Sequence, residues 1–274
     1  MLRIAQITDT HVTAPEHRLC GLHTPSLLRQ ALAEVARQPD GFYDAVVISG
    51  DLTHKGDIEA YEELERCLAD ATVPVHLMIG NHDDREIFRQ AFAGEPRYTT
   101  GDFVQYAVED VKGHRLVMLD TNVPGAASGL LCAARLAWLD ATLARRPDTP
   151  TLVFLHHPPF TTHIPPIDAI GLDGIDGLAE VVARHRQVRS IHAGHAHRTM
   201  TGRLGDVPVM AAASSCHQVA LDLVSADLVM CYEPPSFAMI LAEAGDVMCH
   251  TVYFTQALGP RLDYSALRNA YGKA

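Results

Sequence analysis

Short, mostly apolar runs alternate with amphipathic stretches through the first half of the chain. Leu2–Thr8 reads as a buried strand, and Ser26–Arg37 carries Leu27, Leu28, Ala31, Leu32 and Val35 at helical spacing. Ala45–Ile48 predicts a second strand, Ile58–Leu68 a helix, Val73–Ile79 a third strand and Asp84–Phe92 a further helix. This β-α-β-α-β rhythm predicts a layered α/β fold with helices flanking the sheet. Phe103–Glu109 and Arg115–Asp120 flank Lys112-Gly113 and predict a hairpin, followed by a helix over Ala133–Leu143. Leu152–His156 is a short apolar run, Ala179–Arg186 reads as a helix and Val188–His192 as a strand. Arg198–Arg203 and Val207–Ala212 predict a second hairpin around Gly205-Asp206. Beyond Ser215 the rhythm changes to loops and strands, Phe237–Ala242 and Val247–Phe254, and ends in a polar tail. No repeat or linker divides the chain, so the expected organisation is a domain over 1–214 with a β-rich extension, 215–274, packed on it.

Composition narrows the class of partner. The chain has 274 residues and a formal net charge of −11, a poor field for gathering extended nucleic acid, whose binding leans on Lys and Arg. That charge leaves small anionic substrates open, because a bound metal ion can dominate a local field. No run is long and apolar enough for a membrane span, and Met1–Ile7 lacks the pattern of a signal peptide. The six cysteines are scattered without a CxxC pair, as expected of reduced thiols in a cytoplasmic protein.

The chemistry lies just beyond the strand ends. Asp9-Thr10-His11 comes after the first strand, Gly50-Asp51 after the second and Gly80-Asn81-His82-Asp83 after the third. His156-His157-Pro158-Pro159 and Gly194-His195-Ala196-His197 come after two later strands. In open α/β sheets ligands bind beyond the carboxyl ends of the strands, and five strands deliver Asp, Asn or His to that edge. Residues two apart in an extended segment point to one side, so Asp9 and His11 can chelate one ion, and His195 and His197 can each serve a metal. Asp51 can bridge two ions through its two oxygens, while Asn81 offers a neutral oxygen. Carboxylate and imidazole suit Mn, Fe, Zn or Co. Each fragment alone reads equally well as a turn or a helix cap; five together predict a metal site. Of the 16 histidines, His17, His23, His54, His76, His114, His185, His192 and His250 are expected to be ordinary surface or core residues. His157, His163 and His217 lie near the site loops, either lining a substrate pocket or as ordinary loop residues.

Taken together, D-x-H, G-D, G-N-H-D, H and G-H-x-H resemble the calcineurin-like metallophosphoesterase superfamily, over residues 9–197. Within it the Gly-Asn-His-Asp form, the His156–Pro159 segment and Cys216-His217-Gln218-Val219 resemble bacterial glycerophosphodiesterases and class III cyclic-nucleotide phosphodiesterases. Purple acid phosphatases resemble it less: they carry a metal-binding tyrosine where Leu52-Thr53-His54 stands here. The resemblance implies a four-layer αββα sandwich with a small C-terminal cap or oligomerisation region. It implies two divalent or trivalent metal ions, one held by Asp9, His11, Asp51 and His197, the other by Asp51, Asn81, His156 and His195. It further implies that His82 contacts the phosphate or aids departure of the leaving group, and that His217 touches substrate. The expected reaction is hydrolysis of a small phosphodiester by metal-held hydroxide, in a protein that binds neither membrane nor extended nucleic acid and forms a homo-oligomer through its C-terminal region. The alternatives are a phosphomonoesterase, a nuclease of the same superfamily and a non-catalytic scaffold on this fold.

Overall fold

The structure is a computed structural model that describes residues 1–243 and 245–255. The expected polar tail, and with it the end of the 215–274 extension, lies outside the described residues. The first third alternates as expected: β1 (Leu2–Ile7), α1 (Thr24–Ala36), β2 (Ala45–Ser49), α2 (Ile58–Leu68), β3 (Val75–Met78) and α3 (Arg85–Ala91). The strands β1, β2 and β3 lie side by side and parallel. A short α4 (Pro96–Thr99) then leads to the hairpin of β4 (Tyr106–Val111) and β5 (His114–Leu119). Lys112 and Gly113 form its two-residue turn with φ of 50° and 78°, the left-handed pair that matches the twist of a tight hairpin.

The chain next forms β6 (Gly129–Leu130), α5 (Ala133–Ala144), β7 (Thr151–Leu155), α6 (Pro165–Asp168), β8 (Leu172–Asp173), α7 (Ile175–Arg184) and β9 (Val188–Ala193). Helix α7 starts four residues before the predicted Ala179, because Gly177 breaks the sequence signal while serving the packing. A Cβ on Gly177 would stand 2.5 Å from Leu136 Cδ1 of α5, so the bare backbone lets the two helices close up. The hairpin β10 (Met200–Leu204) and β11 (Val207–Ala211) completes a six-stranded sheet in the order β10-β11-β9-β7-β5-β4.

Two cores define the layers. On β5 and β7, Leu116, Met118, Leu152 and Phe154 join the cluster built on β1, β2, α1 and α2. The alternate residues Val117, Leu119, Val153 and Leu155 pack instead with Leu139 and Leu143 of α5 and Leu178 and Val182 of α7. That period of two buries both faces of the sheet. The result is helix, sheet, sheet, helix: the αββα sandwich.

After β12 (Gln218–Val219) and β13 (Met230–Cys231), the chain returns through β14 (Ser236–Glu243) and β15 (Asp246–Tyr253). Strand β14 pairs antiparallel with β1, from Leu2↔Ala242 to Gln6↔Ala238, so the first sheet runs β15-β14-β1-β2-β3. Phe237 and Ile240 of β14 are buried in the first core. Among the described residues no helix is long and apolar enough to cross a membrane.

Because Ile240 is fully buried, Ile240→Ala is expected to cost about 2–5 kcal/mol in urea unfolding, within a single transition. A separate early transition in that variant would show that β14 does not fold with the sheet it completes.

Candidate metal centre

The carboxyl ends of β1, β2 and β3 in one sheet, and of β7 and β9 in the other, meet at a shared seam. Below it Gln6 Nε2 donates to Ser49 Oγ at 2.9 Å and to the Ala193 carbonyl at 3.0 Å, pinning strands of both sheets. Beyond it the loops change direction sharply. Asp9, His11, Asp51, His195 and His197 all have left-handed backbone, with φ between 41° and 67°. Non-glycine residues rarely adopt it, and such strain clusters at functional sites. The backbone pays for the turn with hydrogen bonds across the loops: Asp9 N donates to Gly50 O at 3.1 Å and His11 N to Asp51 O at 2.9 Å.

Side chains from both sheets converge. Ligand atoms of Asp9, His11, Asp51 and His197 all lie within 4.8 Å of one another, all four residues being buried. His11 Nε2 stands 3.1 Å from His197 Nε2 and 3.6 Å from Asp51 Oδ2, and His197 Nε2 is 3.4 Å from Asp9 Oδ1. On the other side of Asp51, His156 Nε2 is 3.3 Å from Oδ1 and 3.1 Å from Asn81 Oδ1, which in turn lies 3.0 Å from His195 Nδ1. The carboxylate of Asp51 therefore faces one group with each oxygen. The seven residues expected as ligands are brought together in two groups that share it.

The ring nitrogens turned away from the centre are engaged. His156 Nδ1 donates to Ser49 O at 3.0 Å, His197 Nδ1 to His217 O at 2.8 Å and His195 Nε2 to Ile170 O at 3.1 Å. A carbonyl on one nitrogen leaves the other with a lone pair aimed inward, as in metal-binding histidines. His11 is the exception, its Nδ1 being buried without a partner among the described residues.

The donor set fits cations. Asp9 and Asp51 are 0% and 2% exposed, and among the described residues no Lys or Arg pairs with either, only histidines. Buried charges without compensation are costly, and carboxylates with imidazoles suit borderline divalent ions. Protonation follows the same demand. Burial holds His11 and His195 well below their ordinary pKa, keeping them neutral. Burial also works against a charged His156, but Asp51 and Asp9 outweigh it and raise it to about 9; Asp9 likewise raises His197. Burial would push Asp51 up, but His156 overrides it and holds the carboxyl well below the usual range. The centre attracts positive charge, and cations entering it would displace protons.

The remaining expected residues lie differently. His82 is at the mouth: its amide donates to Asp51 Oδ1 at 2.9 Å, its Nδ1 donates to His54 O at 2.8 Å, and its Nε2 is 4.0 Å from Asp51 Oδ2. His217 is buried with its ring 5.3 Å from that of His11 and 4.6 Å from that of His197. His157 is held at both nitrogens, by Thr121 Oγ1 at 2.8 Å and Ala127 O at 3.1 Å. His163 is exposed in a loop, its amide donating to Asp168.

Four residues around the centre escaped sequence reasoning, among them His54, expected to be an ordinary surface or core histidine. Asp83 accepts from the amides of Leu52, Thr53 and Gly80 and from the hydroxyls of Thr53 and Tyr61, tying the β2 and β3 loops together. Asn122 Nδ2 donates to Gly80 O and Asp83 O, and the Ser214 hydroxyl to Asp9 O. His54 borders the site, stacked on His82 with ring centroids 5.2 Å apart. Of these, only Asp83 stood within a recognisable motif.

The chain matches the family described as calcineurin-like phosphoesterase over residues 2–199, and it belongs to that family. It is similar to a probable cyclic nucleotide phosphodiesterase of Rhodopseudomonas palustris, 39% identical over 92% of this chain and 93% of the relative. It is also similar to a probable glycerophosphodiester phosphodiesterase of Arcobacter nitrofigilis, 33% identical over 79% of this chain and 80% of the relative. Among solved structures, a dimetal phosphatase from Danio rerio shares the fold with a TM-score of 0.65 and 18% identity, over 94% of this chain and 98% of that one.

Close approach makes Gly80 indispensable: a Cβ there would collide with Asp51 Oδ1 and stand 2.7 Å from His156 Nε2. Gly80→Ala is expected to lose most bound metal by elemental analysis while keeping its far-UV circular dichroism. Full metal content in that variant would contradict the geometry.

Proposed function

We propose that this chain is a dinuclear-metal phosphodiesterase that hydrolyses small phosphodiesters, a glycerophosphodiester or a 3',5'-cyclic nucleotide. The observation that carries the reading is the division of the Asp51 carboxylate between two buried groups of ligands. Asp9, His11, Asp51 and His197 would hold one cation, and Asp51, Asn81, His156 and His195 the other; Mn, Fe, Zn and Co all suit such donors. When bound, two cations supply Lewis acidity to a phosphoryl group and make water a stronger acid at neutral pH. Asp51 holds the two groups in fixed register, and Asn81 adds an oxygen without a further negative charge. With Nδ1–H committed to the His54 carbonyl, the protonated form of His82 presents Nε2–H at the mouth, where it can donate to a phosphoryl oxygen or pass that proton to the departing alkoxide. His217, buried against His11 and His197, is the remaining residue we place near substrate.

The names of the two curated relatives support diester substrates of both kinds. We place the protein in the cytoplasm, a reading supported by all six cysteines being free. We assign catalysis to residues 1–214, with 215–274 as an extension packed on the same domain. Oligomerisation through this extension is supported by the β12–β13 hairpin and the residue after it, where Leu221, Leu223, Val224, Leu228, Val229, Met230 and Tyr232 are each at least 40% exposed. Apolar patches of this kind mark interaction sites.

Metal-stripped protein is expected to regain hydrolysis of bis(p-nitrophenyl) phosphate on addition of Mn(II), with p-nitrophenyl phosphate the poorer substrate. Asn81→Ala should abolish the activity through metal loss, whereas His82→Ala should lower kcat and leave metal content intact. Preference for the monoester would move the protein to the phosphatases, and inactivity with Mn, Zn, Co and Fe alike would favour a scaffold. For the assembly, sedimentation is expected to show an oligomer that Leu223→Asp with Val224→Asp converts to a monomer. A wild-type monomer would sink that part of the reading.

A further inference from the structure

Two clefts share Lys55, and one of them is lined by His82. One, of about 310 Å³, lies between the loops after β1 and β2 and is lined by residues including His17, Arg18, His54, Lys55 and Asp57. The other, of about 270 Å³, is lined by residues including Lys55, Asn81, His82, Asp84, Arg85 and Glu86. Lys55 is common to both and forms the ridge between them. His54 connects the first cleft to the mouth of the metal centre, its ring stacked on His82 and 5.6 Å from that of His11.

The charged groups around these clefts are unequally engaged. Each carboxylate lining the clefts has a hydrogen-bond or ion-pair partner: Asp57 accepts from the Ala60 amide, Asp83 from its five donors, Asp84 from the amides of Glu86 and Ile87, and Glu86 pairs with Arg89. Arg85 is spent on Asp120. Lys55 and Arg18 are both exposed, and among the described residues neither side chain forms an ion pair or a hydrogen bond. The loop carrying Arg18 is held in place, with Thr13 Oγ1 donating to His17 O and His23 Nε2 to Pro15 O. Two cations without an ion-pair partner among the described residues therefore line the first cleft, which also holds Asp57 and His54, in a chain of net charge −11. An anion held in that cleft would lie beside both, and because both are exposed the attraction would be modest and salt-sensitive.

We infer that Lys55 and Arg18 form a subsite for a second anionic group, so that among acyclic diesters the preferred one carries a carboxylate or phosphate on one of its two alcohols. The reacting phosphoryl group sits at the metal centre, and the second anion lies in the cleft between the β1 and β2 loops. This inference rests on the phosphodiesterase reading and specifies the substrate class of that same site.

The test compares two substrates that release the same nitrophenol, bis(p-nitrophenyl) phosphate and p-carboxyphenyl p-nitrophenyl phosphate, with Mn(II)-loaded full-length protein. Wild type is expected to prefer the carboxylated diester in kcat/KM by about five- to tenfold, the worth of one to two exposed ion pairs. Lys55→Glu and Arg18→Glu should each reduce that ratio, Lys55→Arg should retain it, and added salt should shrink it in the wild type. Equal kcat/KM for both diesters in the wild type, or a preference unmoved by both charge reversals, overturns the subsite while leaving the phosphodiesterase intact. Turnover of neither diester overturns the underlying activity instead.

Discussion

Two carboxylates buried at a seam between sheets are the constraint on which the rest of this structure depends. Asp9 and Asp51 lie almost wholly out of water, and among the described residues no Lys or Arg pairs with them. Charge in that position is tolerable only when compensated by cations and well-placed donors. The donors are visible: His195 N approaches both oxygens of Asp9 at 3.1 and 3.0 Å, and His82 N donates to Asp51. The protein thus uses backbone of one sheet to steady a carboxylate carried by the other.

The local conformations answer that demand. Left-handed backbone at Asp9, His11, Asp51, His195 and His197 turns their side chains back over the seam instead of letting the chain run on into solvent. Such strain persists because its surroundings over-determine it: Asp83 binds two loops, Asn122 a carbonyl at each end of the β3 turn, and Ser214 the carbonyl of Asp9. Glycine stands where two loops nearly touch. A Cβ on Gly194 would collide with Thr8 and lie 2.8 Å from Asp9 Oδ2.

Around this rigid centre the mouth is built from loops. His82 and His54 face outward together, Lys55 and Arg18 stand beyond them, and the β12–β13 hairpin reaches the β1 loop through the Tyr232 hydroxyl on Cys20 O at 3.0 Å. Polar side chains fixed at the seam with loops at the rim are the division expected where a scaffold positions chemistry and loops contact the ligand. The same hairpin that touches this rim carries the exposed apolar side chains.

The sequence by itself determined the longer strands, the main helices and the identity of the seven converging side chains, because hydrophobic period and short-range motifs are local properties. Asp9-Thr10-His11 and His195-Ala196-His197 were legible for that reason. The start of α7 was not, because the value of Gly177 lies in its contact with Leu136, forty-one positions away. Nor could the spacing tell that the strand ends belong to two sheets facing each other, or that β14, more than two hundred residues downstream, would pair with β1. Only the tertiary structure decided which oxygen of Asp51 faces which group, that Asp83 and Asn122 brace the loops, and that His54 belongs at the mouth. Those facts depend on distances across the seam, and residues that meet there are far apart along the chain.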